Sequence, residues 1–207
     1  TLPASSAASD VYKRQITYDI NGGTIESSQY EYPLIYPEDG WVEIDPQVLM
    51  DSVIKSLNDI NKDDIELISI TNQRETTIVW EKQSGNPIYN AIVWQDRRTS
   101  QYCESIRSDD LEKNIQDKTG LILDPYFSAT KIKWILENVN GAKEKAANGE
   151  LCFGTVDTYL MYKLSEGKIF KTDITNASRT MLFNINTLSW DTELLDIFGI
   201  DKSLLPE

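Results

Sequence analysis

Ile65-Glu66-Leu67-Ile68-Ser69-Ile70-Thr71-Asn72-Gln73-Arg74-Glu75-Thr76-Thr77-Ile78-Val79-Trp80 is followed, after a short break, by Ile88-Tyr89-Asn90-Ala91-Ile92-Val93-Trp94-Gln95-Asp96-Arg97-Arg98. Each half is an apolar run rich in β-branched residues that stops at a cluster of amides and charges. Buried strands that end this way place binding groups at the edge of an α/β sheet. Arg74 and Glu75 side by side, with Trp94 nearby, suit a small neutral polyol better than an ion. A guanidinium offers donors and a carboxylate offers acceptors, and each hydroxyl of a polyol uses both. Spacing alone also allows a solvated surface pair worth under about 1 kcal/mol.

Working outward, Ile16 to Ile20 and Thr24 to Tyr32 alternate like strands around Asn21-Gly22-Gly23, a turn that needs positive φ. Two glycines between strands make this a hairpin, not a phosphate loop, which would lead into a helix N-terminus. Asp45 with Pro46 behind it marks a helix start, and Leu49, Val53, Leu57 and Ile60 form an apolar stripe. Ile65 to Ile70 reads as a short strand. Thr76 to Glu81 and Ile88 to Trp94 read as a second hairpin around Ser84-Gly85-Asn86-Pro87.

From Thr99 the pattern turns helical. Asp109 or Asp110 is expected to cap a segment ending at Gly120. Ser128 is expected to cap a helix carrying Ile132, Ile135, Leu136 and Val139 on one face. Leu151 to Phe153 reads as a strand and Val156 to Leu164 as a helix opened by Thr155 or Asp157. Ile169 to Phe183 reads as strand and loop, and Thr192 to Phe198 as a last short helix. Hairpins, a crossover helix and further helices indicate a layered α/β domain.

Composition excludes more than it identifies. The net charge of −13 argues against nucleic acid and anionic membranes as partners. The absence of histidine removes the Ser-His-Asp and Cys-His routes to nucleophilic catalysis and most transition-metal sites. Cys103 and Cys152 lack metal-ligand spacing and read as buried free thiols of a reducing, cytoplasmic compartment. No run is long enough for a membrane span. Residues 1–15 lack periodicity and a signal-peptide core, and read as a non-native adapter or assembly scar outside the fold. Residues 16–207 are expected to be an internal piece of a longer protein.

Other residues stay open on spacing alone. Trp94 and Tyr126, the latter behind Asp124-Pro125, suit the C–H side of a polyol, although aromatic residues at such places are more often core. Arg97 and Arg98 read as phosphate ligands or as partners of Asp96 and Glu104. Asp157, Asp173 and Asn176 read as site residues or as caps and turns.

Six segments in register resemble one family: 40–46, 69–80, 90–99, 120–131, 153–160 and 175–185. They include Gly-Trp-Val-Glu-Ile-Asp-Pro, Ser-Ile-Thr-Asn-Gln-Arg-Glu-Thr-Thr-Ile-Val-Trp and Thr-Asn-Ala-Ser-Arg-Thr-Met-Leu-Phe-Asn-Ile. The chain resembles the FGGY carbohydrate kinases over essentially all of residues 16–207. The resemblance implies a ribonuclease-H-like α/β fold of the actin-like ATPase superfamily, a mixed sheet with flanking helices, truncated at both ends. It implies transfer of the ATP γ-phosphate to a terminal hydroxyl of glycerol, with Mg²⁺, and Arg74, Glu75, Trp94 and Tyr126 as glycerol contacts. It places the family's Asp-x-Gly-Thr phosphate loop ahead of Ile16 and the catalytic Asp and adenine site beyond Glu207. The chain by itself is therefore expected to be inactive. Homo-oligomerisation of the whole protein, another FGGY sugar kinase and a non-catalytic polyol-binding module are left open.

Overall fold

The structure, a computed structural model, describes residues 12–61 and 65–207. In chain order the strands and helices begin β1 (Tyr12–Tyr18), β2 (Thr24–Glu31), β3 (Glu43–Ile44), α1 (Pro46–Asn58), β4 (Ile78–Glu81) and β5 (Ala91–Ile92). They continue α2 (Ser100–Ile106), α3 (Asp109–Thr119), α4 (Ser128–Asn138), α5 (Ala142–Ala147), β6 (Leu151–Gly154) and α6 (Val156–Leu164). The last are α7 (Ile174–Ala177), β7 (Phe183–Asn184), β8 (Ser189–Trp190) and α8 (Thr192–Phe198). They fall into two compact units. The first takes the described residues of Thr1–Ile35 and Ile44–Ile70, and the second takes Tyr36–Glu43 and Thr71–Glu207.

In the first unit β1 and β2 form the expected antiparallel hairpin, with Ile16 opposite Ser27. Gly22 adopts φ +83° in its turn. The Asp19 carboxylate accepts from the amides of Asn21 and Gly23, both at 2.8 Å. Those amides, the ones a phosphate would use, are thus already engaged. β1 opens at Tyr12, so Tyr12 to Gln15 of the tract read as a scar stand in the ladder. Edge pairing uses backbone groups and takes any extended sequence. The remaining residues of that tract, 1–11, lie outside the described residues. Asp45 caps α1 by accepting from Gln47 N at 2.8 Å, with Pro46 at the first position. α1 packs on the hairpin and buries Leu49, Met50 and Val53.

One expectation fails here. Ile65 to Ile70 carries no regular secondary structure, and Leu67 and Ile68 are 84% and 52% exposed. An apolar strand of this kind needs a neighbour for its backbone groups, and among the described residues no ladder includes it.

The second unit is built around β4. It pairs antiparallel with β6, Ile78 opposite Gly154 and Glu81 opposite Leu151. Its other edge meets the hairpin partner through the bridges Thr77–Ile92 and Trp80–Pro87. Paired on both edges, β4 is buried on both faces: Ile78, Val79 and Trp80 are at most 1% exposed. The core spreads from Val79 and Phe153 to Ile115, Ile132, Ile135, Leu182 and Phe198.

Most helix ends follow the sequence, with two corrections. The cap of α3 is Ser108, whose hydroxyl accepts from Leu111 N at 3.2 Å, while Asp109 and Asp110 lie in the first turn. There they complement the helix dipole. Gly120 ends α3 in the left-handed conformation as expected. α4 is capped by Phe127 without a side-chain bond, because the hydroxyl of Ser128 turns to the carbonyl of Glu75 at 3.3 Å. Part of the expected strand-and-loop stretch before Phe183 is the short helix α7, capped by Asp173.

Candidate polyol-binding site

Arg74 and Glu75 form a turn at the entrance to β4. Glu75 adopts φ +64°, a conformation uncommon for a residue with a side chain. The turn lets two adjacent residues do different things. Arg74 is exposed, while Glu75 is buried at 3% exposure. The turn is held from several sides. The Glu75 carbonyl accepts from Ser128 Oγ and from Lys131 Nζ, each at 3.3 Å. Thr76 Oγ1 donates to Gln73 Oε1 at 2.8 Å and accepts from Trp94 N at 3.3 Å.

Tyr126 arrives from another segment. Asp124 Oδ1 accepts from the Tyr126 amide at 2.8 Å, so Asp124-Pro125 shapes a side-chain-closed turn. Lys131 Nζ then donates to the Tyr126 carbonyl at 2.5 Å. One buried lysine therefore ties the backbone of Glu75 to that of Tyr126. The Trp94 and Tyr126 rings meet at 5.5 Å between centroids with a 58° tilt. Both residues are only partly buried.

The electrostatics follow from this packing. Burial, then the Glu75 charge, pushes the Tyr126 phenol up, opposed by Arg179 and Arg74. It stays protonated at neutral pH and can donate a hydrogen bond. Burial lowers the Lys131 amine to about 7, against the pull of Asp96, Glu75 and Asp124.

Arg179, outside every site suggested by the sequence, donates from Nε to Glu75 Oε1 at 2.6 Å. Its guanidinium carbon lies 5.9 Å from the Tyr126 ring centroid and 5.1 Å from that of Phe127. No local pattern marks it: it is a lone cation in a polar run. Lys131 did carry a signal, since it falls four residues before Ile135 on the apolar face of α4.

The structure thus brings Glu75, Trp94 and Tyr126 together, with Arg74 exposed beside Glu75 in the same turn. The other candidates go elsewhere. The Arg98 side chain is fully buried, bonded to Glu43 at 2.7 Å and Asp96 at 2.8 Å. Trp41 and Trp134 lie 3.9 and 4.5 Å from its guanidinium carbon. This is an interior ion-pair network, not a phosphate site. Arg97 reaches Asp124 at 3.1 Å, and Glu104 pairs with Arg107 instead. Asp157 and Asp173 share the Asn176 amide nitrogen, at 3.0 and 2.6 Å. Asn72 donates to Asn176 Oδ1 at 2.9 Å and accepts from the Asp157 amide at 3.1 Å. Burial, more than any neighbouring charge, raises the Asp157 carboxyl. These groups bond one another across the start of α6. Both cysteines are free and buried.

Among the described residues no group of three or more Asp, Glu or Cys is placed to ligate a metal. The Asn21, Gly22 and Gly23 amides are all engaged by Asp19, so this turn offers no cradle for a phosphate chain. No described helix is long and apolar enough to cross a membrane.

Residues 11–207 match the sequence pattern of the FGGY family of carbohydrate kinases, N-terminal domain. The chain is 52% identical over 200 residues to a glycerol kinase of Marinomonas sp. (strain MWYL1), covering 94% of this chain and 40% of that protein. It is 54% identical to a glycerol kinase of Shewanella woodyi, with the same coverage. It superposes on Plasmodium falciparum glycerol kinase with ADP at a TM-score of 0.87 and 37% identity, covering 95% of this chain and 40% of that one. Gluconate kinase from Lactobacillus acidophilus gives 0.82 at 28% identity, over 95% and 39%. The chain spans about two fifths of the length of the curated relatives it matches. The expected actin-like, ribonuclease-H-like α/β fold holds.

Proposed function

The chain belongs to the FGGY family of carbohydrate kinases, and on that premise we propose that it supplies the acceptor side of a kinase that phosphorylates glycerol. The whole protein transfers the γ-phosphate of ATP to a terminal hydroxyl and releases glycerol 3-phosphate. Residues 16–207 furnish the acceptor-binding domain. The observation that carries this reading is the meeting of a buried carboxylate, an exposed guanidinium and an aromatic wall at the entrance to β4. Among the described contacts Arg179 engages Oε1 of Glu75, so Oε2 is available to accept from a hydroxyl. Arg74 donates to a second hydroxyl oxygen, and the neutral Tyr126 phenol is a further donor. The Trp94 and Tyr126 rings cover the carbon chain and keep water from it. Held in this way, one hydroxyl is oriented for attack.

Mg²⁺ accompanies the ATP. The compartment is the cytoplasm, in keeping with two buried free thiols.

The test is a phosphoryl-transfer assay on the whole protein with glycerol, xylulose and gluconate as competing acceptors. We expect preference for glycerol, loss of glycerol use in Glu75→Ala with the fold kept, and no turnover by the 207-residue chain alone. Preference for a larger sugar would replace glycerol as the acceptor. Turnover by the chain alone would overturn its assignment to the acceptor side.

A further inference from the structure

We infer that Arg179 is a positioning residue of the acceptor site, setting the Glu75 carboxylate and the Tyr126 ring in the geometry that recognises glycerol. The inference rests on the reading above and extends it to a residue outside the acceptor contacts named there.

Three observations carry it. First, the Glu75 side chain is 4% exposed. A buried carboxylate needs a cationic or hydrogen-bonding partner. Among the described residues Arg179 alone forms an ion pair with it, at 2.6 Å. Secondly, the bond runs through Nε. The guanidinium carbon then lies 5.9 Å from the Tyr126 ring centroid and 5.1 Å from that of Phe127. A single planar group touches the polar and the aromatic halves of the site. Thirdly, Arg179 is held near α7, where Ser178 N and Thr180 N bond back to the carbonyls of Ile174 and Ala177. Its side chain is 33% exposed, so it borders the site without being sealed inside the core.

The geometry divides the carboxylate's work. Oε1 is committed to Arg179, which leaves Oε2 for an acceptor hydroxyl. Without Arg179, Glu75 would be free to rotate, and its hydroxyl-accepting oxygen would have no fixed position. A lysine cannot substitute, because an ammonium supplies charge without the plane that spans both Glu75 and Tyr126.

The experiment uses the whole protein with Arg179→Ala, Arg179→Lys, Glu75→Gln and the Arg179→Ala/Glu75→Gln double variant. Wild-type turnover of glycerol is measured first; its absence would count against the proposed function. Given an active wild type, both Arg179 variants should raise KM for glycerol by about 10–100-fold and leave KM for ATP within about twofold. Added guanidinium ion should restore a measurable part of the Arg179→Ala loss. The double variant should lose little more than Glu75→Gln, since the two residues act as one unit. An unchanged glycerol KM in both variants would overturn the inference. So would full activity in Arg179→Lys, a parallel rise in both KM values, or losses that simply add.

Discussion

Trp94 and Tyr126, from the end of one hairpin arm and the loop before α4, meet ring to ring at 5.5 Å. Neither is fully buried, which separates them from the core aromatics such as Trp80, at 0% exposure. A ring spent on packing would be covered. We therefore expect Trp94→Ala in the whole protein to raise KM for glycerol by about tenfold with a smaller change in kcat, the mark of lost uniform binding. Steady-state kinetics with glycerol varied checks this. A large fall in melting temperature with an unchanged glycerol KM would return Trp94 to the core.

Arg98 serves the fold. Its guanidinium is the cation between Glu43 and Asp96, all three side chains at most 2% exposed. Removing it leaves two carboxylates in the interior. Arg98→Met should cost about 3–5 kcal/mol, read as a shift in the urea midpoint. Arg97→Ala, from a side chain 55% exposed, should cost under about 1 kcal/mol. Similar losses for the two would show that the buried network contributes nothing special.

Lys131 gives stability a pH dependence whose sign is fixed. Its amine falls from the usual 10.5 to about 7 on folding. Between those values the unfolded chain binds the extra proton, so the lysine's contribution to stability rises as pH rises from about 7 to about 10. Below that window the amine is charged in both states and the full cost of burial applies. The neutral amine keeps two hydrogens, enough for the carbonyls of Glu75 and Tyr126. Urea denaturation at pH 7 and pH 9.5 should show wild type gaining a few kcal/mol on Lys131→Met, at about 1.4 kcal/mol per pH unit. A difference that stays flat would refute the titration.

Cys103 and Cys152 should be nearly inert while the chain is folded. Burial pushes both thiols up to about 11, leaving little thiolate at neutral pH. Colorimetric thiol titration should find both reacting slowly in buffer and rapidly in denaturant. Fast labelling of either in buffer would contradict the burial.

What the sequence disclosed depended on how far its signals had to reach. The Asn21–Gly23 turn, the Asp45–Pro46 start of α1 and the glycine end of α3 rest on contacts within a few residues, and were legible. Ser108 displaced Asp109 and Asp110 as a cap because all three can cap and only backbone geometry selects one. Ser128 was a fair cap until the Glu75 carbonyl drew its hydroxyl away. Ile65 to Ile70 has strand-forming residues, but a strand is a property of a pair. The Arg74–Glu75 and Trp94 clusters stood out because each follows an apolar run. Arg179 did not, since nothing near it in sequence refers to Glu75.

The separation of Glu75 and Arg179 by 104 residues has a temporal consequence. At about 5–20 residues per second, the ribosome delivers Arg179 roughly 5–20 s after Glu75. Throughout that interval the nascent chain holds the carboxylate without its partner. The turn before β4 can close around it only once translation has passed α7, so the acceptor site is among the last parts of this chain to mature.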